Sequence, residues 1–179
     1  NWFKGFKQKV GKLGKKGHLK VLIGIEAKSL GADGSIDAPE DALKDADIVI
    51  GSVHRYSDKG RLMPINEIRM IEKKKAAEIE FKLALGMVKN KDSHIDVLGH
   101  PFGVYSKFFD DFPEEYMERL MKEAKKNDVA IEISTKYSLN PKFFRLLEKI
   151  NPYVSLASDA HQKSDIARSF DTIAMEVRK

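Results

Sequence analysis

The chain has 179 residues, 42% of them hydrophobic and 33% charged, a length and balance that suit a single soluble domain, residues 1–179, with a real core. No apolar stretch approaches the roughly 20 residues that span a bilayer, and the lack of cysteine excludes disulfides, zinc–thiolate sites and thiol nucleophiles, leaving histidine and carboxylates as the strong metal ligands. The net charge of +5 is uneven: the first 25 residues carry seven lysines and no acid, while the remainder has 25 basic and 27 acidic residues, so any basic patch is N-terminal.

Trp2, Phe6, Val10 and Leu13 recur at helical spacing in a lysine-rich background. A signal peptide needs an uncharged core that this segment lacks, and lysine without arginine is a weak nucleic-acid signal. The pattern predicts a helix that lays this stripe on the strand VLIGIE, with Gly14 and Gly17 in the turn between them; a helix for a membrane surface or nucleic acid is the alternative. Asp33-Gly34 then marks a turn. Asp37, Pro39 and Glu40 predict a helix start, with Asp37 capping and Glu40 as its return partner.

A strand at 47–53 and a polar loop at 55–63 come next. Pro64 to about Lys89, with Ile65, Ile68, Ile71, Ala76, Ile79, Leu83 and Val88, reads as one or two helices. A strand at 95–98 precedes a loop with Phe102, Tyr105, Phe108 and Phe109, for which core packing is expected and a pocket wall is the alternative. Pro113 opens a helix with Tyr116, Met117, Leu120, Met121 and Ala124 on one face. After a strand at 129–133, Asn140-Pro141 caps a helix carrying Phe143, Phe144, Leu147 and Ile150. The last strand, 153–157, leads through SDAH to a C-terminal stretch from about Ser164.

The informative feature is how the strands end. VLIGIE closes on Glu26, DIVIGSVH on His54, IDVLGHP on His100, VAIEIS on Glu132, and YVSLASDAH on Asp159 and His161. Strands separated by helical segments are parallel, and their carboxyl ends share the face on which α/β folds build sites. A lone histidine at a strand end is more often structural than a ligand, but His54, His100 and His161 occur together with carboxylates, and ligation is the expected role for the set. His18 and His94 precede their strands, on the opposite face, and are expected to be surface or structural residues.

GIEAK with DGSID downstream, DIVIGSVH, IDVLGHP, AIEIS and SDAH, in that order, resemble the later motifs of the PHP family, the polymerase and histidinol phosphatase domains. The likeness runs from Val21 to about Ser169, and the DGSID stretch resembles in particular the small stand-alone members and the domains attached to family X polymerases. It implies an α/β fold, a distorted (β/α)7 TIM-like barrel, and a hydrolase of phosphoesters using up to three divalent metals, zinc, manganese or iron. Carried over by motif, Glu26 would bridge metals, His54 and His100 would complete one ligand set with it, and Asp159 and His161 would each serve another metal. Glu26, Asp159 and His161 would then be catalytic, with a metal-bound hydroxide attacking phosphorus. Glu132, at a characteristic motif position, would either touch metal or stand behind the ligands, orienting one of them or a structural group.

The sequence departs from the family pattern in lacking the opening His-X-His strand. The resemblance therefore implies an incomplete barrel of about five parallel strands, with roughly the first two β/α units missing. Lys28, Arg55, Lys136 and Arg168 lie just beyond strand ends and are candidates for substrate phosphate, although such residues are usually solvated. The expected partner is a phosphorylated small molecule or nucleotide, in the cytoplasm and away from membranes. The alternatives are an exonuclease or phosphodiesterase on nucleic-acid ends, and a non-catalytic remnant that binds one metal or a partner and forms homo-oligomers through exposed barrel edges.

Overall fold

Five short strands lie side by side in the order in which they occur in the chain, all parallel. The computed structural model describes residues 2–14, 20–58, 60–92, 94–109, 113–134 and 140–177. The sheet comprises β1 (Gly24–Lys28), β2 (Ile48–Ser52), β5 (Val97–Gly99), β6 (Ala130–Ser134) and β7 (Val154–Ala157), paired in that sequence. This is the arc of five parallel strands expected for the PHP-type α/β barrel. A two-residue hairpin, β3 (Ser57–Asp58) and β4 (Arg61–Leu62), interrupts what was expected to be a plain polar loop.

Helices fill the connections. The predicted run after Pro64 divides into α3 (Ile65–Ile68) and α4 (Lys73–Lys89). Beyond β5 come α5 (Gly103–Ser106) and α6 (Glu114–Lys126), which follows Pro113 and buries Met117, Leu120, Met121 and Ala124. Each of the methionine and leucine side chains contributes about 1.5–3 kcal/mol when fully removed from water. The Asn140 side chain accepts the Lys142 amide and starts α7 (Pro141–Ile150), as its cap-and-proline pair predicts. A C-terminal helix, α8 (Phe170–Val177), adds buried Ile173.

Two expectations need correction. In α1 (Trp2–Gly14) the inward face is Phe3, Lys7 and Val10: of the predicted stripe Val10 packs inward as expected, whereas Trp2 and Phe6 are exposed and Phe3 takes their place. Ion pairing sets the phase: Lys7 Nζ reaches Asp47 at 2.6 Å and the Asp45 carbonyl at 2.7 Å, which turns Phe3 onto Ile23 and Ala42. Gly17 and His18 lie outside the described residues. Asp37 is not a helix cap. Its carboxylate accepts the Lys28 amide at 2.7 Å and its own amide donates to the Lys28 carbonyl at 3.0 Å, so α2 (Glu40–Asp45) begins two residues later, after Pro39, with no side-chain cap.

The Asp33-Gly34 turn forms as predicted. Gly34 adopts φ +83°, and the Asp33 carboxylate accepts the Ser35 amide and hydroxyl. At the amino ends of the strands, Asp47 accepts the Ile23 amide and Asp96 the Val49 amide. These bonds tie each strand to its neighbour and fix the register that brings the opposite ends together. Phe102 and Tyr105 are buried and pack in the core.

Candidate metal centre

The register places Lys28 opposite Ser52 and Ser52 opposite Gly99. Glu26, two residues before Lys28, shares its face of the sheet. His54 follows β2 by two residues and His100 directly follows β5, so adjacent strands deliver all three groups to one corner. The Ser52 hydroxyl donates to Glu26 Oε1 at 2.9 Å. That approach requires glycine next door, because a β-carbon at position 99 would collide with Ser52 Oγ and lie 2.9 Å from Ile50 Cγ2.

His54 Nε2 lies 3.1 Å and His100 Nε2 3.3 Å from the same Glu26 oxygen, and the two nitrogens are 3.2 Å apart. The rings stack with centroids 5.1 Å apart and planes inclined by 9°. A tetrahedral ion with bonds of about 2.0–2.1 Å needs donors roughly 3.3–3.4 Å apart, so this nearly equilateral triangle fits a divalent cation. The protonation chemistry agrees. Two facing imidazole nitrogens cannot both carry a proton toward one another, whereas a cation satisfies both lone pairs and the carboxylate at once. Two imidazoles and a carboxylate suit zinc, iron or manganese without choosing sharply among them.

Hydrogen bonds from His100 and His54, helped by Ser52, hold the Glu26 carboxyl well below the usual carboxylate range, against the upward push of burial. His100 is pulled down by burial, but its bond to Glu26 and the charges of Glu132 and Glu26 prevail and its pKa is raised. Glu132 is raised by burial and by the charges of Glu26 and Asp159, with His100 opposing. The Glu132 carboxylate accepts the His100 backbone amide, while its Oε1 is buried with no hydrogen-bond partner among the described residues. An orphaned carboxylate oxygen beside the triangle is a further mark of a cation-seeking pocket.

Among the described residues, Glu26, His54 and His100 form a cluster with ligand atoms within 4.8 Å of one another, and Asp159 and His161 are not part of it. Asp159 sits beyond β7 in the left-handed region, φ 46°, half-buried and close enough for its charge to act on Glu132. His161 is exposed, and its Nδ1 lies 2.8 Å from the Asp159 carbonyl. A carbonyl only accepts, so Nδ1 carries the proton and Nε2 is the ring's acceptor. Of the phosphate candidates, Lys28 and Arg168 each face a carboxylate at 4.0 Å, Asp37 and Asp165 respectively. Arg55 is exposed directly after His54, and Lys136 lies outside the described residues. His94 is at the amino end of β5, 3.6 Å from Asp96, away from the site as expected.

The sequence reading missed three participants. Ser52 and Gly99 carry no signal beyond being small. Glu80 does: it occupies the row Ala76, Glu80, Leu83, Met87 on α4, all of which are buried. A carboxylate in an apolar helical row is a mark of a built interaction. Glu80 accepts the Tyr56 hydroxyl at 2.9 Å, the Tyr105 amide at 2.7 Å and the Val104 amide at 3.2 Å. Burial pushes its pKa up to about 7 against these donors. The segment it grips is strained, with φ 26° at His100 and 60° at Phe102, positions that cost roughly 1–3 kcal/mol each unless their surroundings hold them.

No family model matches the chain. It is similar to proteins named probable phosphatase: 29% identical over 158 residues to one from Caldicellulosiruptor bescii, covering 84% of this chain and 56% of that protein. One from Caldicellulosiruptor saccharolyticus is 30% identical over 159 residues, with the same two coverages. One from Caldanaerobacter subterraneus subsp. tengcongensis is 28% identical over 168 residues, 88% of this chain and 57% of that protein. The chain thus spans little more than half the length of the curated relatives it matches. A solved structure, histidinol phosphate phosphatase from Lactococcus lactis in complex with zinc, L-histidinol and phosphate, superposes with a TM-score of 0.63 at 18% identity, covering 97% of this chain and 73% of that one. The chain therefore shares its fold with a zinc-containing histidinol phosphate phosphatase and is similar in sequence to probable phosphatases.

Proposed function

We propose that the chain carries the metal-binding part of a metal-dependent hydrolase of phosphoesters, with Glu26, His54 and His100 holding a divalent cation. The observation that carries this reading is the triangle of Glu26 Oε1, His54 Nε2 and His100 Nε2, with edges of 3.1, 3.3 and 3.2 Å. The relatives named probable phosphatase and the neighbour's zinc, histidinol and phosphate support it, and they favour a phosphorylated small molecule over a nucleic-acid end. A divalent cation at such a centre polarises phosphoryl oxygens and lowers the pKa of a coordinated water toward about 7.

The chain's own groups prepare the site. Glu26 stays ionised, supplying negative charge at the point where the imidazoles converge. Ser52 fixes which carboxylate oxygen faces them, and the Glu132 contact to the His100 amide fixes where that ring leaves its strand. Asp159 and His161 would approach from the β7 side and serve further metals. Their separation from the cluster favours a second reading, a module that binds one metal and hydrolyses nothing. Both readings are tested by zinc content and by hydrolysis of p-nitrophenyl phosphate and histidinol phosphate. We expect His100→Ala to lose the zinc and any hydrolysis with it. Unchanged metal content in that variant would sink the site assignment, and zinc retention without hydrolysis by the unmodified chain would select the one-metal module.

A further inference from the structure

We propose that Glu80 is a positioning residue for the centre, resting on the reading of Glu26, His54 and His100 as its ligands: it ties the chain after His54 to the chain after His100 and so sets the distance between the two imidazoles. Tyr56 is two residues beyond His54, and Val104 and Tyr105 are four and five residues beyond His100. All three donate to the one Glu80 carboxylate, at 2.9, 3.2 and 2.7 Å. The group is buried on α4, between the two ligand-bearing segments in sequence.

The tie has a specific mechanical use. His100 and Phe102 hold left-handed backbone, which relaxes unless the following residues are fixed. The Val104 and Tyr105 amides lie in the first turn of α5, a helix of four residues, where backbone donors have no intrahelical acceptor, and the Glu80 carboxylate accepts both. The Tyr56 hydroxyl brings the β2 exit to the same point. Tyr56 and Tyr105 are themselves fully buried, so the geometry is transmitted through packed groups. Outer-shell partners of this kind commonly govern metal affinity by factors of about 10–100.

The test compares Glu80→Ala with Glu80→Gln, which keeps two of the three bonds. Zinc affinity is measured by chelator competition, the visible spectrum of the cobalt-substituted protein reports ligand geometry, and long-range 1H–15N spectra of the zinc-free protein report the two imidazoles. Glu80→Ala is expected to weaken zinc binding by about 10–100-fold, alter the cobalt bands and shift both imidazole signals; Glu80→Gln is expected to stay within about threefold on the same scale. If Glu80→Ala does not fold, Tyr56→Phe, which removes only the His54-side bond, is expected to weaken binding by several-fold and shift the His54 signals. Normal zinc affinity, cobalt bands and imidazole signals in the folded variant would overturn the proposal. If the unmodified chain binds no zinc, the site reading falls, and the imidazole spectra of the zinc-free variants still decide whether Glu80 sets the ring positions.

Discussion

At the corner where β1, β2 and β5 end, Glu26, His54 and His100 are backed by Ser52, Glu132 and Glu80; β5 beneath them is buried and β2 mostly so, while β1, which carries Glu26, is an edge strand and largely exposed. At the β7 corner, Asp159 and His161 follow an edge strand whose Val154 and Leu156 face solvent. Both corners offer ligand-type side chains at the ends of parallel strands. The difference shows that a strand end delivers a residue to the right face, whereas the layer behind it sets the ångström-scale geometry a metal requires.

The largest test of that contrast uses matched substitutions. Leu98, in β5, is 0% exposed and Leu156, in β7, is 38% exposed. Leu98→Ala is expected to cost about 3–4 kcal/mol and Leu156→Ala under about 1 kcal/mol in urea unfolding. Equal costs would mean that β7 is covered in solution, and the contrast between the corners would collapse.

The next effect is in pH. Glu80 has a folded pKa of about 7 against 4.5 for the ordinary group, so the folded state retains a proton that the unfolded chain releases. Its stabilising contribution is full below pH 4.5 and is lost as pH rises to about 7, a swing on the order of 3 kcal/mol. The stability of the natural chain relative to Glu80→Gln should fall by that amount across this range and be level above it. A flat difference would remove the buried carboxylate from the account of the well-braced corner. The smallest effect belongs to the other corner: His161→Ala, at an exposed position, should change stability by no more than about 0.5 kcal/mol, and a larger loss would show that the β7 end is held after all.

How much of this could be read from the chain alone follows the same division. The strands were legible because each is a short Val- and Ile-rich run between helical segments, and Glu26, His54 and His100 because each closes such a run. Asn140 and Gly34 were legible because caps and turns depend on local chemistry. The phase of α1 was not, because it is set by Lys7 meeting Asp47, 40 residues away in sequence. Asp37 failed as a cap because Lys28 competes for both its carboxylate and its amide. Glu80 stands in the apolar row of Ala76, Leu83 and Met87, but the lysines and glutamates beside it in sequence make it look solvated, and its partners come from two distant loops. Ser52 and Gly99 matter only through each other, across a strand pair.

The order β1-β2-β5-β6-β7 has a consequence for how the molecule comes into being. Every strand of this sheet pairs with the sheet strand made before it, so each pairing closes a single connection, and the entropic cost of closing each loop stays modest. Glu26 and His100 are 74 residues apart, with His54 and Glu80 between them and Tyr105 just beyond. A chain emerging from the ribosome therefore has every donor of the triangle, and Glu80 with its partners Tyr56, Val104 and Tyr105, in hand before β6, which brings Glu132, and β7 are synthesised. A cation captured at that stage would act as an early staple, holding three strands in register while the rest of the sheet is still being made.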